Sequence, residues 1–456
     1  MKEVGEQRIL VERQMKKALI ISTNDFLEHD FTVYNKSIFL GETASLVDNH
    51  DNWESTVLDV TYQHLTLSDL IPFFLLLPEL VLFYSETNQS RMTFRLAEMA
   101  KKISPDSNIL VFGLATTFIP HYFSRYPFDA IHVSGDREAA ISSYLKFLDD
   151  VISEPDLEGL QIIQKDGTVT TTEKGRWLDQ SEWATPKLSK LPLSSYLELQ
   201  NRHKNVVDCT LGLSITATKG CETRCNFCGC SEEEGTSDRT RDPEAIFKWY
   251  DENSDYLNDT FHLYSPNIIS SPAWVGQFHS IYTRRGYRFK WQGVTRTNTL
   301  TEHVVKLATE AGLTKLSIGI EHISAQRKRP IKSSLDELEE AARLSNKYGI
   351  SLVGLLMLGY PNQTVDDVKY ILSVLKEFKI ESYRFTGYTP LHKLRNMTVE
   401  QLDKVFLEDY DRRTFYADDM KITPHQFYDI LISNGKCLIG ENKLDQANQK
   451  KRLAKY

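Results

Sequence analysis

The first third of the chain alternates short, wholly apolar runs with stretches in which apolar residues recur every three or four positions. KKALIIST (16–23), STVLDVT (55–61), ELVLFYS (79–85), NILVFGL (108–114) and DAIHVSG (129–135) are the apolar runs. MTFRLAEMAKKIS (92–104) and REAAISSYLKFLDDVI (137–152) carry the helical spacing. A strand that is apolar on both sides is covered on both faces, which is the pattern of a parallel sheet between helices. Residues 1–150 therefore read as an N-terminal Rossmann-like doubly wound domain. The most apolar window, Leu70 to Phe83, is too short to span a bilayer and carries two prolines and Glu79. It reads as a loop or helix end feeding a buried strand.

Residues 151–205 change character and read as a linker. IIQKDGTVTTTEKGR predicts a small hairpin turning at Asp166-Gly167, and the proline- and serine-rich WATPKLSKLPLSSYLELQ follows. A second α/β series fills 206–396, with strand-like LSITATKG, FHLYS, FKWQGVTR, KLSIGIE, SLVGLLMLG and SYRFTGY, each followed by a helical stretch. Six such units predict a partial (β/α)6 TIM-type barrel with its site at the strand C-termini. Residues 397–456 are expected to form a small, mainly helical C-terminal cap over the cavity mouth. No repeat of solenoid period is present.

Composition narrows the partners more than the fold. With 41% hydrophobic and 25% charged residues, the 456-residue chain is ordinary globular material with room for two or three cores. A net charge of -8 gives no general pull towards nucleic acid or an anionic membrane, so a small-molecule or peptide substrate is favoured. The N-terminus is charged throughout and lacks the apolar core of a secretory signal, which predicts a cytoplasmic protein. Of six cysteines, four crowd between Cys221 and Cys230. That is not a disulfide framework, and in a reducing compartment it points to one metal site.

The crowded segment is SITATKGCETRCNFCGC, which sets Cys221-x3-Cys225-x2-Cys228 directly after the first strand of the second series. Three thiolates on one short loop can reach three irons of a [4Fe-4S] cluster and leave the fourth iron open. Zinc would need a fourth ligand, from Cys230 or Cys209, but zinc sites usually come as two separated pairs and only one CxxC is present. Cys230, Cys209 and Cys437 are read as bystanders, since free cysteine is commonly a small buried hydrophobe.

Around these cysteines the sequence resembles the radical S-adenosylmethionine (radical SAM) enzymes, including the aromatic Phe227 before the last cysteine, where family members pack a ring near the adenine. GVTRTN (293–298) resembles the family's third-strand segment, which makes Arg296 a substrate contact or a strand-end salt bridge. SIGIEHIS (317–324) resembles the next strand, so that Ser317 and Glu321 would lie at the cofactor, Glu321 accepting from the ribose hydroxyls; the alternative for Glu321 is a surface ion pair. MLGYPNQT (357–364) resembles a Gly-x-Pro-Gly-x-Thr turn beside the adenine, carried by Gly359 and Pro361. Asn362 stands where a second glycine is usual, and asparagine tolerates the left-handed backbone that the turn requires.

The domain order resembles the cobalamin-binding subgroup of that family along nearly the whole chain. The resemblance implies corrin contacts at Ser85, Glu86, Thr87, Gly113, Thr116, Thr117, Ser134 and Gly135, beyond the strand C-termini where such sheets bind ligands. Leu114 replaces the second glycine of the subgroup's Gly-Gly pair, and Gly135-Asp136-Arg137-Glu138 replaces its Gly-Glu-Gly-Glu turn. The activity implied is methylation of an unactivated carbon through a deoxyadenosyl radical, with a [4Fe-4S] cluster, S-adenosylmethionine, cobalamin and a low-potential electron donor such as flavodoxin or ferredoxin. Two alternatives stand beside it. One is a cobalamin-free radical SAM epimerase, rearrangement or oxidation enzyme, in which Cys437 could return a hydrogen atom. The other is a non-enzymatic iron-sulfur or zinc scaffold.

Overall fold

The computed structural model describes residues 15–23, 36–60, 62–87, 90–202, 214–257, 260–325, 329–330, 332, 334–380, 382–388, 391–408, 421–423, 426 and 430. Cys209, Cys437 and most of the expected cap lie outside the described residues.

The five apolar runs of the first domain become β1 (Lys16–Ser22), β2 (Trp53–Asp59), β3 (Leu80–Tyr84), β4 (Asn108–Phe112) and β5 (Ala130–His132). They pair in parallel in the order β2-β1-β3-β4-β5. Every residue of β3 is buried, as a strand covered on both faces must be. The apolar window before β3 forms the helix Leu67–Leu75, capped by Thr66 and Asp69, and then enters the strand. The hairpin turning at Asp166-Gly167 is β6 (Leu160–Ile163) and β7 (Val169–Thr171). It pairs antiparallel with β5, so the sheet continues into the segment that the sequence reads as linker.

The second domain begins with β8 (Ser214–Thr216), followed by a short antiparallel ribbon of β9 (Thr218–Lys219) and β10 (Arg239–Thr240). The chain continues through β11 (Thr260–Tyr264), β12 (Lys290–Thr295), β13 (Leu313–Glu321), a second ribbon of β14 (Ile323–Ser324) and β15 (Arg329–Pro330), then β16 (Ser351–Leu358) and β17 (Ser382–Gly387). The six long-sheet strands are parallel in the order β17-β16-β13-β12-β11-β8, an open barrel wall made of the six segments read from the sequence. Alternation divides each strand: Phe261, Leu263, Trp291, Leu316 and Ile318 are buried in the core shared with the flanking helices, while His262, Tyr264, Val294 and Ser317 lie on the opposite, lumen-facing side.

The C-terminal edge of the first sheet faces the start of the barrel, and the seam is ionic. Arg137 pairs with Glu42 and Lys219 with Glu138, all four nearly or wholly buried. Arg239 reaches both carboxylate oxygens of Asp136, at 2.6 and 3.0 Å. Thr216 Oγ1 donates to Glu42 at 2.5 Å. Burial alone would raise the Glu138 carboxyl, but the charges of Lys219 and Arg137 outweigh it and hold it well below the usual range. The described part of the C-terminal region returns to the first domain. Leu391, Leu394, Leu402, Val405 and Phe406 join its apolar core, and Asp403 accepts from Tyr122 and Arg125, each at 2.8 Å.

Candidate functional site

The cysteine loop leaves β9 and returns as β10, so the ribbon clamps its base. Gly220 opens the loop at φ +80, and a Cβ there would lie 2.1 Å from Ser237 O; only glycine allows that approach. Cys221 N then donates to Gly235 O at 3.1 Å, and Cys228 N to Cys225 O at 3.0 Å, curling the segment so that Cys221, Cys225 and Cys228 line one cavity of about 250 Å3. Cys230 touches the same cavity, but its thiol lies 3.6 Å from Glu234 Oε2, to which it donates. Arg296 also lines the cavity and donates to Thr223 of the loop, and no salt bridge to it occurs among the described residues. Three thiols lining one cavity, with a cation nearby, are a donor set suited to an iron-sulfur cluster with one open iron.

The opposite wall comes from β13 and the turn after β16. Glu321 ends β13 with φ +63, a left-handed conformation rare outside glycine. The reading of Glu321 as an ion-pair member holds in part: Lys332 Nζ lies 2.7 Å from its Oε1, but the carboxylate is buried rather than on the surface. Gly319 makes room for both, since a Cβ there would come within 2.8 Å of each. Burial works against the Lys332 ammonium, but Glu321 outweighs it and raises its pKa. Lys332 also lies over the Phe227 ring at 5.3 Å and opposes the upward push that burial gives the Cys225 and Cys228 thiols. Phe227 meets Tyr360 edge-on at 6.3 Å, which brings the cysteine loop and the Gly359-to-Pro361 turn together. That turn uses φ +86 at Gly359 and +62 at Asn362, the left-handed asparagine expected there. Ser317 sits lower on the same strand, four residues before Glu321.

On the first domain, Ser85 and Thr116 are fully buried. Thr116 Oγ1 donates to Gly113 O at 2.8 Å and Thr117 Oγ1 to Leu114 O at 2.9 Å, so both hydroxyls tie down the turn after β4. Gly113 is needed by the chain itself, because a Cβ would sit 2.5 Å from Ser85 O. Ser134 and Gly135 pack on the segment after β7: Gly175 N donates to Ser134 Oγ at 3.1 Å, and a Cβ on Gly135 would lie 2.4 Å from Gly175 C. Glu86 and Thr87 are half-buried at the seam. Tyr84 donates to Glu86, and burial together with the charges of Glu86 and Glu234 pushes the Glu233 carboxyl of the cysteine loop well up. Leu114 reaches across to Gly229, where an added Cβ would lie 2.6 Å from its Cδ1.

Residues 215–375, from β8 through the helix after β16, match the Radical SAM superfamily. The barrel half of this chain is a radical SAM domain. Relatives of the longer chain include an uncharacterized methyltransferase, PH0819, of Pyrococcus horikoshii, 24% identical over 77% of this chain and 75% of that protein. The bacteriochlorophyllide d C-12(1)-methyltransferase of Chlorobaculum tepidum is 24% identical over 45% of this chain and 46% of its own length. Among solved structures, the radical S-adenosylmethionine methyltransferase TsrM of Kitasatospora setae, with cobalamin and a [4Fe-4S] cluster bound, superposes with TM-score 0.64 at 15% identity, covering 83% of this chain and 74% of that one. The cobalamin-dependent enzyme OxsB gives 0.64 at 17% identity, over 90% of this chain and 57% of its own. At these identities the likeness shows a shared two-domain fold.

Within the radical SAM domain, three positioning side chains escaped sequence reasoning. Lys332 follows the β14–β15 ribbon and has no periodic signature. Gln363, fully buried, accepts from Gly359 N at 2.8 Å and donates to Met357 O at 3.0 Å, with its amide 3.2 Å from His322 Nδ1. Asp367 caps the next helix and also accepts from Ala325 N at 2.6 Å. The S/T-x-x-D pattern of Thr364 and Asp367 was legible as a cap; its reach back to Ala325, just after β14, was not.

Proposed function

We propose that this chain is a cobalamin-dependent radical SAM C-methyltransferase acting on an unactivated carbon of a small molecule or peptide. The observation that carries this reading is the position of the Rossmann-type sheet, whose C-terminal edge closes directly over the cysteine loop through Leu114 and Gly229. Cys221, Cys225 and Cys228 would hold the cluster, and Glu321 would accept from the ribose diol of S-adenosylmethionine, drawing one oxygen away from Lys332. Phe227 and Tyr360 would flank the adenine, with Gly359 and Pro361 shaping the turn beneath it. The charge of Glu86 acts on Glu233 across the seam, and two acidic side chains in that position suit a ligand rich in amide donors, as the rim of a corrin is. When bound, these groups together supply a deoxyadenosyl radical and a transferable methyl. The protein's part is to keep water from the space between them. A cytoplasmic location, with flavodoxin or ferredoxin as electron donor, accompanies this reading.

The test is anaerobic reconstitution with iron and sulfide followed by hydroxocobalamin titration and gel filtration. Retained corrin absorption, together with methyl transfer from labelled S-adenosylmethionine, is expected. Cluster absorption without retained corrin would replace this reading with a cobalamin-free radical SAM enzyme.

A further inference from the structure

Among the described residues four thiols, not three, line the cysteine cavity: Cys221, Cys225, Cys228 and Cys230. Four thiolates close a [4Fe-4S] cluster completely, whereas three leave one iron free to take S-adenosylmethionine. Cys230 stands only two residues beyond Cys228 on the same loop. The protein must therefore keep this fourth thiol off the iron.

Glu234 is placed to do so. Cys230 opens the single-turn helix Cys230–Glu233, and Glu234 closes it by donating its N–H to Cys230 O at 2.8 Å. One helical turn sets side chains four residues apart side by side, and the Cys230 thiol donates to Glu234 Oε2 at 3.6 Å. The carboxyl group is held independently of that thiol. Tyr264 Oη donates to Oε1 at 2.7 Å and Gly220 N to Oε2 at 3.4 Å, while Arg239 Nη2 donates to the Glu234 backbone oxygen at 2.7 Å. Glu234 is only 1% exposed. Burial pushes its carboxyl up, and the hydrogen bond from Tyr264 with the charges of Lys219 and Arg137 pulls it back towards the ionised form. The proton on Cys230 is what makes the hydrogen bond to Glu234, and only a thiolate ligates iron. Ligation by Cys230 and its bond to Glu234 thus exclude one another, and breaking the bond takes a donor from a buried acceptor.

We propose that Glu234 is a positioning residue that holds the Cys230 thiol out of the cluster's ligand set and so keeps the fourth iron open to S-adenosylmethionine. This rests on the cluster assignment within the proposed function and is independent of cobalamin. Tyr264 acts through Glu234 by fixing its second oxygen.

The test uses full-length protein reconstituted anaerobically and reduced with dithionite. Electron paramagnetic resonance spectra are recorded with and without S-adenosylmethionine, beside iron content and release of 5′-deoxyadenosine. Wild type and Cys230→Ala should both change spectrum when S-adenosylmethionine is added. Glu234→Met, which removes the acceptor and fills its space, should hold a full iron complement yet lose that change, because Cys230 releases its proton to solvent and takes the open iron. Cleavage should fall about tenfold or more, the worth of one hydrogen bond to a charged group. Adding Cys230→Ala to Glu234→Met should restore both readouts, which a merely structural role for Glu234 would not allow. Glu234→Gln keeps the shape without the charge, should lose the response in the same sense, and serves if the methionine variant does not fold. A Glu234→Met protein that still responds, or a double variant that does not recover, overturns the proposal. So does a wild type that responds only once Cys230 is replaced, since Cys230 would then already be on the iron. Corrin retention and methyl transfer by wild type report on the methyltransferase reading separately, so either can fail without the other.

Discussion

Glu321 meets two demands at once: a left-handed backbone that costs a non-glycine residue about 1–2 kcal/mol, and a buried carboxylate already matched to Lys332. Strain of this kind persists where the surroundings over-determine it. Glu321→Gln should therefore weaken S-adenosylmethionine binding by the worth of a charge-assisted hydrogen bond, about 1.5–3 kcal/mol or roughly 10- to 150-fold in Kd, while cluster absorption is unchanged. The same change strips Lys332 of its counter-charge, so the melting temperature should fall as well. An unaltered Kd would remove Glu321 from the cofactor site. For the cysteines the expectation is categorical. Replacing Cys221, Cys225 and Cys228 together with alanine should abolish both bound iron and S-adenosylmethionine cleavage. Cys230→Ala, at the thiol turned to Glu234, should keep a full iron complement by chemical analysis. That Cys221, Cys225 and Cys228 share one cavity was legible because thiols spaced this closely on one loop converge, whereas Glu321 was singled out by the family resemblance alone. Lys332 was not, since an ammonium that lies beside a carboxylate only in three dimensions leaves no mark in sequence.

At the level of elements, apolar runs and helical spacing sufficed for all eleven strands read from the sequence, because burial on one or both faces dictates those patterns locally. What they could not give was how loops at neighbouring strand ends are tied together. Gln363 links the turn after β16 to His322, the neighbour of Glu321, through a side chain that reads in sequence as one more polar loop residue. Gln363→Leu would leave Gly359 N without its acceptor, a loss of about 1–3 kcal/mol. Calorimetric titration should show weakened S-adenosylmethionine binding with the iron content of wild type. The candidate corrin contacts were chosen as small and hydroxyl residues at strand ends, and several serve the chain's own turns. Gly135→Trp would drive a side chain into the Gly175 backbone, so it disturbs the fold as much as any pocket. Glu86→Gln, at a half-buried seam position, is the cleaner probe of corrin retention.

For the whole molecule, the seam between sheet and barrel depends on buried ion pairs that sequence could not reveal, since Lys219 and Glu138 lie in different domains. Glu138 has its folded pKa depressed, so its contribution is fully present above the unfolded value of about 4.3 and is lost as pH falls from there through the folded value. Removing one member of a buried pair costs about 3–5 kcal/mol. Melting curves of wild type and Glu138→Gln should thus lie far apart at pH 7 and converge as pH is lowered below about 4. A gap that persists unchanged in acid would mean that the pair is not what holds the seam. The return of the C-terminal region to the first domain, through Asp403 and the leucines packed beside it, has its own result: the two halves are buckled together at both ends. A protease cut within the segment joining β7 to β8 would sever the covalent link yet leave the first half gripping the tail of the second. Two fragments from such a nick should still elute as one particle.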